Sequence, residues 1–354
     1  MRKLILTNYQ SPGDIVMLTG AVRDLHRCHP GEFLTDVRTS CRGLWIHHPF
    51  LTSLADNDPE VEQIELRYPL VEESNRFPGH FLHGFCNYLN AALGTAIRPT
   101  ECRGEIVLSM EERLLPSQVN RITGHDLPYW IIVAGGKRDY TVKWWEQKRF
   151  QAVVDHFAGR ILFVQTGRAE DVHPRLTGVV DLVGRTSLRE LVHLVHHACG
   201  VLCPVTAAMH LAAAVPTRSE RHPLRPCVVV AGGREPPQWE AYPGHQFIHT
   251  VGMIACCGDG GCWKSRTAPL GDGSEHDHPN RLCERSVNGL LPRCMEMITP
   301  EEVIRRIEGY FEGGTARELD TNEATIAQSF LLRLRDTYSA TTFLPFSIPP
   351  STHE

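Results

Sequence analysis

The 354-residue sequence is 42% apolar, 22% charged and 8% aromatic, with 29 glycines and 24 prolines, which excludes a disordered, fibrous or collagen-like chain. Single cores stop growing at about 250 to 300 residues, so two domains are expected. Thirty-six Lys and Arg against 41 Asp and Glu leave a formal charge of -5, which weighs against nucleic acid as a partner.

Residues 3–7 read as a short buried strand. After the breaker Ser11-Pro12-Gly13, a helix-period pattern runs from Ile15 through Val16, Leu18, Val22 and Leu25. Short apolar runs at 33–37 and 61–66 read as further strands, and 80–93 as an amphipathic helix lined by Phe81, Phe85 and Leu89. Between the two runs, Asp56-Asn57-Asp58 has the composition of a solvated turn. A domain boundary falls within 116–126, giving an N-terminal unit of 1–122 and a second of 123–314.

The second series begins with a strand at 130–134 and a Gly135-Gly136 turn. It continues through a helix at 144–157, strands at 161–165 and 179–183, and a helix opened by Ser187 with Glu190 completing a capping box. A strand at 200–203, a helix at 209–214 and a strand at 227–231 follow. Strands alternating with helices predict an α/β fold with parallel sheets covered on both faces. Residues 256–294 lose all periodicity, so something other than an apolar core must order them. A helix at 298–311 has Thr299 as N-cap, Pro300 at its first position and Glu301-Glu302 in its first turn. The segment 315–354 holds one more helix, at 324–338, and a Pro-rich end.

No apolar run reaches the length of about 20 residues that a bilayer span needs, and the start lacks the apolar core of a secretory leader. The expected compartment is the cytoplasm, where twelve cysteines read as buried thiols or metal ligands before disulfides.

Three stretches carry candidate chemistry. Asp14, after strand one, lies at the carboxyl edge of a parallel sheet, where it serves as a general base or caps the helix that follows. Gly135 and Gly136 leave a strand ahead of three cations, the last of them Lys143. Such a loop either offers N–H groups and an ammonium to a phosphate or is simply solvated, and it lacks the Walker spacing. Beyond residue 200 a buried strand runs into a small-residue helix whose polar members are Thr206 and His210. The residue types leave His210 either a ligand contact or a core histidine. Arg234 and Glu235, after a later strand, border a nucleotide or sit exposed in a loop.

Taken together, these stretches resemble the family 9 glycosyltransferases, the ADP-heptose heptosyltransferase-like group, over about residues 1–239. The likeness rests on Gly13-Asp14 before an apolar helix, on Lys143-Trp144, on Leu182-Val-Gly-Arg-Thr-Ser-Leu-Arg-Glu-Leu191, and on Thr206 with Met209-His210-Leu-Ala-Ala-Ala214. The resemblance implies a GT-B fold, two Rossmann-like domains facing a cleft, and an inverting transfer from a nucleotide-sugar, ADP-linked and heptose-like, to an acceptor hydroxyl on a protein or saccharide. It implies Asp14 as the base and Lys143 as the diphosphate lysine. Thr206, Met209 and His210 match the donor motif, alongside Gly13, Gly135 and Gly136, with no catalytic divalent ion. Val205 and Ala207 stand where that motif has Asp and Gly. A non-catalytic scaffold, a transferase acting on hydroxymethylated DNA bases and a homo-oligomer stay open.

Cys256, Cys257, Cys262, Cys283 and Cys294 crowd into the apolar-poor insert, where thiolate coordination would supply ordering energy. Cys257, Cys262, Cys283 and Cys294 are the expected ligands, with Cys256, His276 and His278 as substitutes. The insert resembles a cysteine motif of the autotransporter heptosyltransferases, which carry cysteine-bound iron. Four thiolates suit zinc or iron equally, in a structural role.

Overall fold

The computed structural model describes residues 1–67, 73–218 and 223–339. The Pro-rich end expected after the last helix lies outside the described residues.

The first sheet has three parallel strands in the order β2-β1-β3: β1 (Arg2–Thr7), β2 (Phe33–Arg38) and β3 (Val61–Glu65). Leu4, Ile5 and Leu6 of the central strand are fully buried. Helix α1 (Pro12–Cys28) connects β1 to β2 and buries Ile15, Val16, Leu18, Val22 and Leu25, the residues whose spacing announced it. Helix α2 (Leu82–Leu93) packs on α1. Asp56 pairs with Arg38 at 2.7 Å and Asp58 with Lys3 at 2.9 Å, as befits a charged turn.

A short helix, α3 (Met110–Leu114), precedes the stretch read as a boundary, and another, α4 (Gln118–Thr123), lies within it. Ser109 and Ser117 accept the N–H of Glu112 and Asn120, so each helix opens on its own cap.

The second sheet is parallel throughout, in the order β6-β5-β4-β7-β8-β9. Its strands are β4 (Tyr129–Ile132), β5 (Leu162–Gln165), β6 (Val180–Asp181), β7 (Gly200–Pro204), β8 (Cys227–Gly232) and β9 (His245–His249). Helices α5 (Gln147–His156), α6 (Leu188–His197), α7 (Ala207–Ala214) and α8 (Pro237–Glu240) lie between them. Ser187 and Glu190 form the expected capping box on α6. Strand β9 was not anticipated: of its five residues only Ile248 is buried, which leaves no alternation to read.

The chain winds outward from β4 through β5 to β6, then returns to start again at β7 beside β4. This reversal is a topological switch point, and open α/β sheets bind ligands outside the carboxyl ends of the strands there. The loops leaving β4 and β7 carry Gly135 to Lys143 and Thr206 to His210.

One apolar core runs from β1 and α1 across α7 to the face of the second sheet carrying Ile131 and Val201, so the two sheets are joined through the α1–α7 contact. A second core covers the opposite face, where Trp130, Ile132 and Phe163 meet α5 and a later helix carrying Val303 and Ile307.

The insert adds a two-stranded ribbon, β10 (Ser286–Val287) with β11 (Leu291–Pro292), and helix α9 (Arg293–Glu296). Its order comes largely from polar contacts. The Arg266 guanidinium, 0% exposed, pairs with Asp139 and Asp272 at 2.8 Å and with Asp277 at 2.5 Å. Asn75 of the N-terminal half donates to the Gly261 carbonyl and accepts from the Gly261 N–H and the Trp263 indole. Helix α10 (Pro300–Glu312) opens on Thr299 as expected, and α11 (Thr321–Ser339) follows.

Candidate active site

Asp14 is the third residue of α1, and its Oδ2 accepts the Ser11 N–H at 3.0 Å. It therefore caps its helix, yet the same loop faces the second sheet. The Lys137 ammonium donates to Ser11 Oγ at 2.9 Å. Gly13 lies so close to His210 that a Cβ there would stand 2.5 Å from the ring. The charge of Asp14 acts on Tyr140, Glu240 and Tyr242, all beyond residue 123. Asp14 thus lies on the crevice between the sheets.

The loop after β4 is built differently from a simple phosphate cradle. Gly135 has a φ of 127°, and a Cβ there would meet the Val172 carbonyl at 2.0 Å; the Gly136 N–H donates to that same oxygen at 2.9 Å. The two glycines let a neighbouring loop approach the backbone. Helix α5 begins at Gln147, not at 144, and Lys143 closes a short 3₁₀ turn, Arg138–Lys143.

The Lys143 ammonium lies 2.7 Å from Glu235 Oε1 and 5.4 Å above the Tyr140 ring. Glu235 also pairs with Arg234, whose guanidinium lies over Tyr140 and Trp263 at 4.9 and 5.2 Å. Burial pushes the Glu235 carboxyl up, but the two cations outweigh it and hold it below the usual carboxylate range. Arg234 and Glu235 are both buried, which corrects the expectation of exposed loop residues.

After β7, Thr206 occupies the N-cap of α7, and its Oγ1 is buried without a hydrogen-bond partner among the described residues. Met209 is fully buried. His210 Nδ1 and the Tyr242 hydroxyl are 2.5 Å apart, and that hydroxyl lies 3.2 Å from Met17 Sδ of α1. Burial first, then the charges of His80, Lys143 and His245, push the His210 pKa well below its ordinary value, so the ring is neutral. Its Nε2 stands 3.7 Å from Glu240 Oε2.

The structure therefore brings Gly13, Asp14, Lys143, Thr206, Met209 and His210 to one crevice, while Gly135 and Gly136 shape its rim. Glu235, read beforehand as a nucleotide neighbour or an exposed loop residue, joins them, as do Glu240 and Tyr242, which no motif marked. Their only sequence signal was position: all follow β8 at the carboxyl edge of the sheet.

Residues 93–219 match glycosyltransferase family 9 (heptosyltransferase), a stretch that holds Lys143, Thr206, Met209 and His210. The match marks the chain as a glycosyltransferase. No curated protein matches the sequence. Among solved structures, the family 9 glycosyl transferase of Veillonella parvula superposes with a TM-score of 0.59 at 12% identity, over 88% of this chain and 98% of that one. The ADP-heptose LPS heptosyltransferase II of E. coli gives 0.53 at 15%, over 89% and 100%. The iron-containing dodecameric glycosyltransferase TibC of enterotoxigenic E. coli gives 0.58 at 16%, over 88% and 76%, and TibC has also been solved with ADP-D-β-D-heptose. These likenesses show the fold, α/β with parallel sheets, shared with GT-B glycosyltransferases. No described helix is long and apolar enough to cross a membrane.

In this glycosyltransferase the insert gathers Cys256, Cys257, Cys262, Cys283 and Cys294 around one small cavity, beside Gly233 and Arg234. A Cβ on Gly233 would stand 3.0 Å from Cys257 Sγ. The Cys257 thiol donates to the Ile254 carbonyl at 3.3 Å. Burial first, with neighbouring cysteines adding to it, pushes Cys262 up to about 11 and Cys294 up to about 12. All twelve cysteines are free. Among the described residues, no three His, Cys, Asp or Glu side chains stand in a metal-ligating arrangement, so the expected set of Cys257, Cys262, Cys283 and Cys294 shares a cavity without forming a site. His276 and His278 are excluded as substitutes: the first bonds Ser265 Oγ at 3.1 Å and the second caps Asn280, both off the cavity.

Proposed function

We propose that this glycosyltransferase moves a sugar from a nucleotide-activated donor, ADP-linked and heptose-like, to an acceptor hydroxyl with inversion at the anomeric carbon. The observation that carries this reading is the seat of Asp14, one residue from the Gly13–His210 contact that joins the two sheets. Residues 1–122 would face the acceptor and 123–314 would hold the donor.

In this reading Asp14 accepts the proton of the acceptor hydroxyl as its oxygen bonds the anomeric carbon and the bond from that carbon to the diphosphate breaks. Lys143 exchanges Glu235 for a diphosphate oxygen, and the N–H groups at the start of α7 share the charge that develops there. The buried Oγ1 of Thr206 and indole N–H of Trp144 lack partners among the described residues, and a donor would supply them. TibC's complex with ADP-heptose makes that donor the first to try. The acceptor would be a protein or saccharide hydroxyl.

Five thiols around one cavity have the donor chemistry of a structural iron or zinc site. Cys257, Cys262, Cys283 and Cys294 would hold the ion, and an ion there would stabilise the thiolates that burial now disfavours.

The test is transfer and donor hydrolysis by the purified full chain, with a panel of ADP-, UDP- and GDP-sugars. Asp14→Ala should keep donor binding and lower turnover by about 10²- to 10⁴-fold, with Asp14→Asn worse than Asp14→Glu. Near-normal turnover by Asp14→Ala would leave Asp14 as a helix cap only.

A further inference from the structure

Glu240 ends α8 beside the His210 ring, and no step above uses it. Its side chain is 6% exposed, and its Oε2 lies 3.7 Å from His210 Nε2 and has no hydrogen-bond partner among the described residues. The charges of Glu235, Lys143, Asp14 and Arg234 all act on it. The carboxyl group thus stands where the Asp14 loop, the Lys143 ion pair and the His210 ring converge. An unsatisfied buried acceptor is destabilising, and native chains retain such groups chiefly where a ligand, water or ion completes them.

Two neighbouring facts narrow what that ligand offers. Glu235, in the loop before α8, is ionised and its Oε1 is paired with both Lys143 and Arg234, so a diphosphate must compete with it for Lys143. Val205, where the family 9 motif has a carboxylate, is buried and apolar. A carboxyl reaches the His210 ring all the same, but from α8.

We propose that Glu240 is the donor-sugar residue of this crevice, exchanging hydrogen bonds with a sugar hydroxyl and so helping to set which sugar is accepted. The proposal rests on reading the crevice as a nucleotide-sugar site. Burial first, then the charge of Glu235, raises the Glu240 carboxyl well above its ordinary range, so it is held neutral. A neutral carboxyl both donates and accepts, which is the complement of a hydroxyl and a poor match for a phosphate.

The experiment compares nucleotide-sugars with their matching nucleoside diphosphates by titration calorimetry on wild type, Glu240→Ala and Glu240→Gln, with melting curves for each. Glu240→Ala should bind the sugar-nucleotide about tenfold more weakly and the diphosphate within about twofold of wild type. Glu240→Gln conserves volume and can still donate and accept, so it should stay within about threefold for both ligands. Unchanged affinity of Glu240→Ala for the sugar-nucleotide overturns the proposal, as does equal weakening for both ligands, which would mark a structural role. Wild type binding diphosphate and sugar-nucleotide while Glu240→Ala behaves identically sinks Glu240 alone. Wild type binding none of the panel sinks the crevice reading, and this proposal with it.

Discussion

The crevice and the cysteine cavity are neighbours that share Arg234, yet they keep polar groups out of water in opposite ways. In the crevice a buried carboxylate is matched by two cations, and the set is electrostatically complete before a ligand arrives. In the cavity five thiols crowd together, and after burial the neighbouring cysteines add to the cost of ionising Cys256, Cys262 and Cys294. A complete set has to be opened by a competing anion. An incomplete set calls for a cation.

On the crevice side, next to the Asp14→Ala loss, a large effect is expected from Lys143→Ala, which in the proposed reading removes the cation facing the leaving group. It should lower turnover by about 10²- to 10³-fold, the usual size for one preorganised electrostatic partner. Steady-state kinetics under saturating donor would show it, and a loss confined to donor affinity would mean that Lys143 binds ground and transition states alike.

On the cavity side, Cys262→Ser combined with Cys294→Ser should take bound iron or zinc from about one ion per chain to near zero. Elemental analysis of purified protein reads this directly. Chelation of wild type should lower its melting temperature, because an ion held only by the folded chain stabilises it. Metal retained at full stoichiometry in the double variant would refute the ligand set.

The smallest effect separates the regions by pH. Burial pushes His80, beside the crevice, down to about 3, and His48 down to about 4. Both are neutral in the folded chain and become charged in the unfolded chain below about 6.5. The unfolded state therefore binds more protons as pH falls from about 6.5 towards 4, and stability declines over that window. Each contributes a slope of up to about 1.4 kcal/mol per pH unit. Urea midpoints at several pH values should show a shallower decline in His48→Gln, and an unchanged slope would mean that its ring is already solvated.

How much of this was legible beforehand depended on whether the signal was local. Strand β1, helix α1, the Ser187 box and the Thr299 cap are written in short-range pattern, and each sits where the sequence places it. The site stretches announced themselves because loops after parallel strands carry their residues in order. Glu235 was left between a nucleotide neighbour and an exposed loop residue, and Glu240 was not marked at all, because an Arg-, Glu- and Pro-rich segment looks solvent-facing until Lys143, more than ninety positions earlier, is brought against it. The insert was half legible. Its cysteine count and missing apolar pattern pointed to an outside source of order, but the three carboxylates around Arg266 are a tertiary arrangement that spacing does not reveal.

Gly13 touches His210 with no room for one more carbon, while the His210, Glu235 and Glu240 side chains are at most 8% exposed. A side chain at position 13 would have to push α1 away from α7, so this single missing carbon is what lets the two halves of the chain close on each other.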